Sequence, residues 1–397
     1  MYNYLCLPLY LLIVIIMNIA INTLGPSKLK AGIGRYVSNL VNDLARIDNK
    51  NHYFIYANED NISWFENITN KNFKIIKLGN YSKNKLLRIL WEQIILPFHC
   101  IFKKIDLLHS PSFTLPLLKT CKQAVTIHDM TFFNYSEHHK ILKRIYFPLM
   151  IKYAARQADI IFADSENTKQ DIIRILKTKS DKIKTVHLGV EDIFFKKRNK
   201  EEIKQILNKY NLDKKYILFV GTIEPRKNIP ALIRAFAQIQ RKDVDLVICG
   251  KLGWMYDSIF STIQTERISN RVKLIGFVSD EDLPSIYAGA EIFVYPSFYE
   301  GFGLPVVEAM ASGCPVITSN ISSTKEIAGD AALLFNPNDD EELTDAIENL
   351  LNNKNLNKQF RLFGRLRAQI FKTKRTAELV LKSYEDLTLT TVGKTNT

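Results

Sequence analysis

The chain has 397 residues, of which 46% are hydrophobic and 24% charged, a balance typical of globular proteins. This length exceeds that of one ordinary hydrophobic core, so we expect two domains. The net charge of +13 suits a phosphorylated ligand or an anionic membrane, or simply reflects a lysine-rich composition. No nucleic-acid-binding motif accompanies it. The five cysteines form no C-x-x-C pair, which excludes a disulfide scaffold and a cysteine zinc site and favours the reducing cytoplasm.

The first segment, residues 1–16, is almost wholly apolar and has two interpretations. It lacks a preceding basic residue and a small-residue cleavage site, so it does not match a signal peptide. It approaches the roughly 20 apolar residues of a membrane anchor, in which case Lys28, Lys30 and Arg35 would keep the following domain in the cytoplasm. Alternatively, Met17 is the true start and the first β-strand begins there. We favour the start at Met17.

From residue 17 the hydrophobic pattern alternates strands with helices. After the first strand, further strands are predicted at residues 53–56, 73–77, 107–109, 123–127, 159–163 and 183–186, and helices at 33–47, 84–102, 141–158 and 167–176. This alternation predicts a parallel sheet covered by helices on both faces. The helix at 84–102 is basic and amphipathic, so it either lies on a membrane or packs on the sheet with its lysines in solvent.

A charged stretch at residues 191–200 marks the predicted domain boundary, after which the pattern starts again. Strands are predicted at 216–220, 245–249, 272–277, 292–295, 315–318 and 332–335, and helices at 229–240, 282–288, 304–312 and 339–351. Two such halves predict two Rossmann-like, doubly wound α/β domains, residues 17–195 and 196–370, whose carboxyl strand ends face across a cleft. A last helix is expected within residues 371–397.

The stretch at residues 296–320 has the features of a ligand site. Gly301 and Gly303 leave the backbone bare just before a helix, whose first N–H groups can bind hydroxyls, a phosphate or a carboxylate. Glu300 and Glu308 flank this turn. Two such carboxylates can be ordinary surface groups, but their place at the carboxyl end of a strand favours a role in binding.

Two further groups of polar residues follow strand ends. His128 and Asp129 come directly after the strand at 123–127, where α/β proteins place ligand-binding residues. Arg226 and Lys227 precede a helix, a position that the helix dipole disfavours for cations. We therefore expect them to bind an anionic ligand, such as the diphosphate of a leaving group.

The glycine loop of the first domain is a weaker signal. Gly32 and Gly34 begin a dinucleotide-binding fingerprint, but Val37 occupies the position of its third glycine. This departure disfavours an oxidoreductase. A backbone N–H of the loop can still approach a phosphate.

Other nucleotide-binding and metal-binding motifs are not evident. D-x-D occurs at Asp243/Asp245, which precedes a strand, and at Asp280/Asp282, where an acid is an ordinary helix cap. We interpret both pairs as structural. The sequence contains no P-loop motif. We therefore predict catalysis without a metal ion or a resident cofactor.

Four motifs together resemble one enzyme family. They are G-T-I-E-P-R-K-N at 221–228, the glutamate pair within E-G-F-G-L-P-V-V-E at 300–308, A-G-I-G-R-Y at 31–36 and T-I-H-D at 126–129. Over about residues 17–385 the chain resembles family 4 glycosyltransferases, which are retaining, nucleotide-sugar-dependent enzymes of the GT-B fold. The resemblance implies an acceptor-side first domain, a second domain that binds the nucleotide sugar, and a last helix, Thr376–Leu387, that crosses back to the first domain.

The resemblance assigns the nucleotide of the donor to the second domain. Arg226 and Lys227 would bind the diphosphate. Glu308 would accept hydrogen bonds from the ribose hydroxyls, and the base would lie near Phe277 and Val278.

The donor sugar would lie at the start of the helix that contains Glu308. Its hydroxyls would be held by one side chain and a run of backbone groups, from Glu300, Gly301, Phe302, Gly303 and Leu304. His128 would contact the sugar near its reacting carbon, and Gly34 could approach the diphosphate. The implied catalytic set is His128, Glu300, Arg226 and Lys227. The family mechanism is front-face substitution, in which the leaving phosphate helps to deprotonate the acceptor, and this agrees with the lack of an obvious nucleophile.

These motifs, with W-E-Q-I-I-L-P at 91–97, resemble the bacterial mannosyltransferase branch of O-antigen or capsule assembly. This implies a cytoplasmic hexosyltransferase, peripheral to the inner face of the membrane, that moves mannose from GDP-mannose to a lipid-linked oligosaccharide or polysaccharide. A UDP- or dTDP-linked sugar is the alternative donor. A catalytically silent binding or scaffold protein of this fold is the alternative from another class, although it would not need to keep all these polar groups together. A nucleotide-sugar epimerase is less favoured.

Overall fold

Two parallel β-sheets, one in each half of the chain, organise the protein, whose computed structural model describes residues 16–25, 32–134 and 141–392. The predicted anchor lies outside these described residues except for Ile16, and so do Lys28 and Lys30. None of the helices in the described ranges is both long and apolar enough to span a bilayer.

The first sheet contains seven strands, which are β1 (Asn18–Asn22), β2 (His52–Ala57), β3 (Phe73–Lys77), β4 (Leu107–Ser110), β5 (Lys122–Ile127), β6 (Ile160–Ala163) and β7 (Ile183–Thr185). Their order is β3-β2-β1-β4-β5-β6-β7, and all neighbours are parallel. The direction of winding reverses between β1 and β4, which opens a crevice at the carboxyl ends of these strands.

The second sheet contains six strands, which are β8 (Lys215–Val220), β9 (Val244–Cys249), β10 (Val272–Gly276), β11 (Ile292–Tyr295), β12 (Val316–Ser319) and β13 (Leu333–Phe335). Their order is β10-β9-β8-β11-β12-β13, again entirely parallel. The switch in winding lies between β8 and β11. The prediction of two doubly wound, parallel α/β domains is therefore confirmed.

Helices cover both faces of each sheet. In the first domain they are α1 (Gly32–Ile47), α2 (Lys85–Leu90), α3 (Leu96–Phe102), α4 (Thr131–Asn134), α5 (Ile141–Gln157) and α6 (Glu166–Leu176), and α7 (Asp192–Phe195) lies in the connector. The rest are α8 (Lys200–Lys209), α9 (Ile229–Gln238), α10 (Asp257–Thr265), α11 (Leu283–Gly289), α12 (Leu304–Ala311), α13 (Ser322–Ala328), α14 (Asp340–Asn352), α15 (Lys354–Ala368) and α16 (Thr373–Val392).

The helix predicted at 84–102 is not continuous. A π-helical turn, Trp91–Ile95, separates α2 from α3, and the Leu96 N–H donates to the carbonyl of Trp91 five residues back. Pro97 follows in the first turn of α3 and has no N–H to donate. The regular i to i−4 hydrogen bonds therefore cannot run unbroken through this segment.

Several polar helices were not predicted. The charged stretch at 191–200 contains α7, and α8 begins at its end, where Asn199 and Glu202 form a capping box. Helix α15, which follows directly on α14, was not predicted either. Both α8 and α15 expose most of their residues, although each also has apolar residues at helical spacing that pack on the core, such as Ile206 and Leu207 in α8 and Leu356 and Phe360 in α15.

The last helix, α16, packs against the first domain although it follows the second in sequence. The Tyr384 hydroxyl lies 2.6 Å from Nδ1 of the buried His109 in β4. The Thr376 hydroxyl donates to the backbone carbonyl of His187 at 2.9 Å. Burial lowers the pKa of His109 to about 3, so its imidazole is neutral.

Glu92, in the π-helical turn, is a buried carboxylate that has one distant cation beside it and a hydrogen bond with Asn22. Its Oε1 lies 3.7 Å from Nε of Arg88. Burial raises the pKa of Glu92 from its ordinary value of 4.5 to about 7, against the opposing attraction of Arg88. The folded protein therefore resists the ionisation of this group.

We predict that Glu92→Gln stabilises the protein at neutral pH and not at acidic pH. When folding raises the pKa of a carboxyl group, the free energy of unfolding decreases as the pH rises above the pKa of the unfolded state. The decrease ends once the pH exceeds the pKa of the folded state. The free energy of unfolding of Glu92→Gln should exceed that of the wild type by up to about 3 kcal/mol above about pH 7 and match it near about pH 4.

Denaturant unfolding across this pH range measures the difference. The control is Glu385→Gln, which removes a carboxylate from an exposed position of α16. A pH-independent effect of Glu92→Gln would contradict the prediction.

Candidate active site

A cavity of about 490 Å³ lies between the two domains, at the carboxyl ends of their strands. From the first domain it is lined by the start of α1 and by residues after β5 and β6, including Gly32, Ile33, Arg35, His128, Asp129 and Asp164. The second domain contributes residues after β8, β9 and β11 and the first turns of α12, including Gly221, Arg226, Lys227, Gly250, Glu300, Gly301, Gly303 and Glu308. All the predicted site residues except Gly34 line this cavity.

The loop before α12 brings the two domains into backbone contact. A Cβ atom on Gly301 would lie 1.8 Å from the backbone carbonyl oxygen of His128, so only glycine fits here. The Gly301 carbonyl in turn accepts hydrogen bonds from the hydroxyls of Ser165 at 2.6 Å and Thr168 at 3.0 Å. Gly303, next to the helix, has the left-handed φ of +99°.

We predict that Gly301→Ala separates the two domains without unfolding either. The added methyl group overlaps the His128 carbonyl, and the domains must move apart to relieve the overlap. Small-angle X-ray scattering should show a larger radius of gyration, with helix content unchanged by circular dichroism. Gly32→Ala is the control, because no atom lies within 4 Å of the added Cβ. An unchanged radius in Gly301→Ala would contradict this account of the domain contact.

Glu300, Arg226 and Lys227 form one buried ion cluster. Glu300 Oε1 accepts from Nζ of Lys227 at 2.6 Å, and Oε2 lies 2.8 Å from Nη1 of Arg226. The Lys227 ammonium also donates to the Tyr295 hydroxyl at 2.6 Å, and Arg226 Nη2 pairs with Glu224 at 2.7 Å. These three residues were assigned to one site from the sequence, but the ion pairs that they form with one another were not predicted.

The cluster shifts the pKa values of its members. Burial alone would raise the pKa of Glu300, but Arg226 and Lys227 outweigh it and hold the pKa at about 2. Burial and the adjacent Arg226 lower the pKa of the Lys227 ammonium, against the attraction of Glu300. Glu300 is therefore an ionised and fully paired carboxylate, which makes it a weak base and a weak nucleophile.

Each cation of the cluster keeps donors for a further anion. An ammonium has three N–H donors, and Lys227 uses two of them, on Tyr295 and Glu300. The guanidinium of Arg226 has five donors, and its contacts with Glu224, Tyr299 and Glu300 use four. These contacts leave one N–H of each side chain unused, and both side chains line the cavity.

Glu308, in α12, is paired across the cleft. Nη1 of Arg35, from α1 of the first domain, bonds to Oε1 of Glu308, and Nη2 bonds to Asp280. Oε2 of Glu308 accepts from the Tyr287 hydroxyl at 3.0 Å. Burial raises the pKa of Glu308, although Arg35 opposes this.

Two of these partners differ from the sequence interpretation. Arg35 was considered only as a flanking positive charge, and Asp280 as a helix-start residue. Both line the cavity. Asp282 was interpreted as a helix cap, but its side chain does not cap α11. Its Oδ2 instead accepts hydrogen bonds from Nζ of Lys209 at 2.6 Å and from the Tyr210 hydroxyl at 2.9 Å.

His128 lines the cavity, but both of its ring nitrogens are engaged inside the first domain. Nε2 lies 2.9 Å from the carbonyl of Pro111, which can only accept, so Nε2 carries a proton. Nδ1 lies 2.7 Å from Oδ2 of Asp164. Burial alone would lower the pKa of His128, but Asp164 outweighs it and the pKa is raised. Both ring nitrogens are therefore engaged, and the contact of His128 with the sugar stays a prediction.

Asp164 was missed by the sequence analysis. It follows β6, lines the cavity, and leaves Oδ1 without a hydrogen-bond partner among the described residues. Asp164 follows β6 as His128 follows the neighbouring strand β5, and Ile127 pairs with Ala163 in the sheet. No signal in the sequence alone shows that these two strands are neighbours.

The remaining predicted residues take separate places. Gly34 is buried within α1 and is not a lining residue, and the backbone beside the cavity is that of Gly32. Val278 is buried, whereas Phe277 is 59% exposed with the Lys251 ammonium 5.3 Å from its ring centroid.

Neither D-x-D pair forms a metal site. Asp243 pairs with Arg241 at 2.6 Å, and Asp245 lies 3.6 Å from the ammonium groups of Lys214 and Lys273. Within residues 16–25, 32–134 and 141–392 there is no group of three or more acidic, His or Cys side chains arranged to hold a metal ion. Transfer without a metal stays a prediction.

A third contact between the domains caps a helix. The carboxylate of Glu326, from α13, accepts from the backbone N–H groups of Glu166 at 3.0 Å and Asn167 at 3.1 Å, at the start of α6. Its Oε1 also lies 2.8 Å from Nε2 of His187. A carboxylate at a helix N-terminus is favoured by the helix dipole, so this contact helps to hold the cleft closed.

Known protein families match both domains. A family model described as Glycosyltransferase Family 4 matches residues 31–193, and one described as Glycosyl transferases group 1 matches residues 199–367. The boundary between the two matches coincides with the connector that contains α7.

Among curated relatives, O-antigen chain mannosyltransferase B of Escherichia coli is 37% identical over 235 residues, covering 58% of this chain and 61% of the relative. O-antigen chain mannosyltransferase RfbU of Salmonella typhimurium is 29% identical over 238 residues, covering 60% of this chain and 62% of the relative. The chain thus spans about three fifths of the length of these relatives.

Solved structures share the fold across nearly the whole chain. Anabaena Alr3699/HepE in complex with UDP and glucose has a TM-score of 0.73 at 17% identity, covering 93% of this chain and 100% of that one. WaaG, a glycosyltransferase involved in lipopolysaccharide biosynthesis, has a TM-score of 0.68 at 15% identity, covering 91% and 98%. The solved structures show that the chain has the GT-B fold, and the two family matches, which together span residues 31–193 and 199–367, show that it belongs to the family 4 glycosyltransferases.

Proposed function

We propose that the protein is a retaining hexosyltransferase that moves mannose from GDP-mannose to a lipid-linked oligosaccharide or polysaccharide of the cell surface. The observation that carries this proposal is the buried cluster of Arg226, Lys227 and Glu300 beside the N-terminus of α12, in a cavity between two domains. It offers free cationic N–H donors and bare backbone where a nucleotide sugar would place its diphosphate and its hydroxyls.

The charges along the cavity suit the donor in one orientation. The diphosphate would take the remaining N–H donors of Arg226 and Lys227, which would also neutralise the leaving group. Glu308 would accept from the ribose hydroxyls through lone pairs that Arg35 and Tyr287 do not use. The sugar would then lie against Glu300 and the start of α12.

The pairing of Glu300 supports a mechanism without a protein nucleophile. A carboxylate held at a pKa of about 2 between two cations would gain little by attacking the sugar. The leaving phosphate would instead accept the proton of the acceptor hydroxyl on the same face of the sugar. His128, bonded to Pro111 and Asp164, would act by positioning the backbone carbonyl that meets Gly301.

Two observations support GDP-mannose over other donors. The curated relatives are named as mannosyltransferases. Asp280 lies two residues beyond Val278, where the base is expected, and lines the cavity. A carboxylate can accept from two adjacent N–H donors at once, and guanine offers such a pair, whereas uracil and thymine offer a single N–H between two acceptors.

We predict that GDP-mannose stabilises the protein more than UDP-glucose or dTDP-glucose. At about 100 times its dissociation constant a ligand adds about 2.7 kcal/mol to the free energy of unfolding. Thermal unfolding with each donor measures the effect. Glu308→Gln should reduce the stabilisation by GDP-mannose because the ribose loses an ionised acceptor, while Glu385→Gln should not.

Transfer is measured separately, as the release of GDP when membrane lipids from glycan-producing cells are added. A larger stabilisation by UDP-glucose or dTDP-glucose would contradict the choice of donor. Stabilisation by GDP-mannose without GDP release in the presence of these lipids would favour a silent binding protein.

We further propose that the first domain lies on the cytoplasmic face of the membrane through an apolar face. This face consists of exposed side chains on α2–α3 and nearby, namely Leu86, Leu87, Leu90, Ile94, Ile95, Phe98, Ile101, Phe102, Leu117 and Leu118. Gln93, between α2 and α3, connects these helices to the segment with Leu117 and Leu118 through hydrogen bonds to the backbone of Leu115 and Leu117. The exposed cations Lys85, Lys103 and Lys104 would meet anionic lipid headgroups.

We predict that Ile101→Ser/Phe102→Ser weakens binding to vesicles containing anionic phospholipid. Phe102 is 79% exposed, so the substitutions remove apolar surface without opening a core cavity. Sedimentation with vesicles should show at least about a tenfold loss of binding, since about 2 kcal/mol or more of burial is removed. Leu379→Ser, in α16, is the control and should bind as the wild type does. Equal binding of all three proteins would contradict the proposed face.

A further inference from the structure

A second pocket lies in the second domain, at the opposite end of α12 from the candidate active site. Its volume is about 140 Å³. It is lined by the connector before α8, by α11, by the residues that follow α12, and by α15. We call it the arginine pocket, after its charged lining residues Lys196, Arg198, Arg361 and Arg365.

The charges of the arginine pocket are all of one sign. Within the described part of the chain, no Asp or Glu lines it, and none forms an ion pair with any of its four cations. Four like charges around one small pocket repel one another, and partial burial strengthens the repulsion. An anion in the pocket would relieve it.

Backbone carbonyls hold Arg361 in place, and Arg365 packs over the backbone of Gly313. Arg361 donates to the carbonyls of Gly313 at 2.9 Å and Ala290 at 3.0 Å. Arg365 occupies the space that a side chain at Gly313 would need, since a Cβ there would lie 2.3 Å from its Nε. Gly313 has a φ of +75°, which also favours glycine. The pocket is therefore built from fixed groups on one side.

Other polar groups of the pocket lack partners. Arg198 makes one long contact, 3.5 Å from Nη2 to the carbonyl of Glu281, and its Nε has no acceptor among the described residues. Ser312 is only 7% exposed, and its hydroxyl likewise has no partner in the described ranges. Buried polar groups in native proteins are rarely left unpaired, so these groups indicate a ligand that supplies acceptors.

We propose that the arginine pocket binds a phosphoryl group, with Arg198 and Arg365 as its main ligands. A phosphate presents several acceptor oxygens and up to two negative charges, which match the planar guanidinium donors and the uncompensated positive charge. The volume holds one such group and not a nucleotide. The site is separate from the donor cavity and does not depend on the proposed transfer reaction.

The phosphoryl group could belong to free phosphate or to a lipid headgroup. On α15 the apolar residues Leu362 and Leu366, 57% and 61% exposed, each follow one of the pocket arginines. Exposed apolar groups beside a cationic pocket also suit a phosphate-bearing lipid. The chemistry recognised is the same in both cases.

The pocket also joins separate parts of the chain. Lys196 and Arg198 belong to the connector between the domains, whereas Arg361 and Arg365 belong to the body of the second domain. A bound phosphoryl group would attach the connector to that domain.

The test measures the binding of inorganic phosphate by equilibrium dialysis to the wild type, to Arg198→Gln/Arg365→Gln and to the control Arg375→Gln. Arg375 is an exposed arginine of α16 outside the pocket. We expect the double variant to lose one equivalent of bound phosphate, or to bind it at least about tenfold more weakly, since each charged hydrogen bond contributes about 1.5 kcal/mol or more. Arg375→Gln should bind as the wild type does.

The experiment compares the number of phosphate ions bound per protein molecule. Phosphate bound in the donor cavity is common to all the proteins and therefore does not mask the loss of one equivalent. The same stoichiometry and affinity in all three proteins would overturn the proposal, whatever the outcome of the donor experiments. If the double variant does not fold, as judged by circular dichroism, the exposed Lys196→Gln is measured instead and should bind phosphate at least about threefold more weakly. Unchanged binding in Lys196→Gln would then overturn the proposal.

Vesicles distinguish the two sources. Vesicles of phosphatidylcholine with and without phosphatidic acid are sedimented with the wild type, the double variant and Arg375→Gln. A loss of phosphatidic-acid-dependent binding in the double variant alone assigns the pocket to a lipid headgroup. Equal vesicle binding with lost phosphate binding assigns it to a free phosphoryl group.

Discussion

Glu300 lies buried between Arg226 and Lys227, and this arrangement constrains the rest of the cavity. Charges removed from water are stable only when their partners and hydrogen bonds are matched. Glu224 supplies the second carboxylate, so the four side chains together are electrically neutral when all are ionised. A bound diphosphate would add negative charge, which the remaining N–H donors and the positive end of α12 would help to balance. The cluster therefore fixes where an anion can lie before any ligand arrives.

The same groups that would meet a donor also hold the two domains together. Arg35 reaches from α1 to Glu308 and Asp280, and the Gly301 carbonyl is held by Ser165 and Thr168. Opening the cleft breaks these bonds and leaves charges and carbonyls to be rehydrated. Donor entry and domain movement are therefore linked, because each changes the partners of Glu308 and of the Gly301 loop.

Much of the fold could be predicted, because parallel strands are read from short apolar runs and their ends mark the cleft. The glycines, acids and cations after β5, β8 and β11 were found this way. Arg35 and Asp164 were not identified as site residues, since their partners Glu308 and His128 are far along the chain and only the folded sheets bring them together. The helices α8 and α15 were missed although each has a short apolar stripe that packs on the core, since most of their residues are polar and exposed. His128 was assigned to the sugar, and nothing in the sequence indicated that its ring nitrogens bond to Pro111 and Asp164.

The return of α16 to the first domain has a consequence for synthesis on the ribosome. The first domain is discontinuous in sequence, because Tyr384 covers the buried His109 of β4. The nascent first domain must therefore wait, with that part of its core uncovered, while the whole second domain is translated. Domains commonly fold in order as they emerge, and incomplete ones expose apolar surface. In this protein the helix that completes the first domain is synthesised last. We therefore expect chaperones to bind the incomplete first domain while the second domain is being translated.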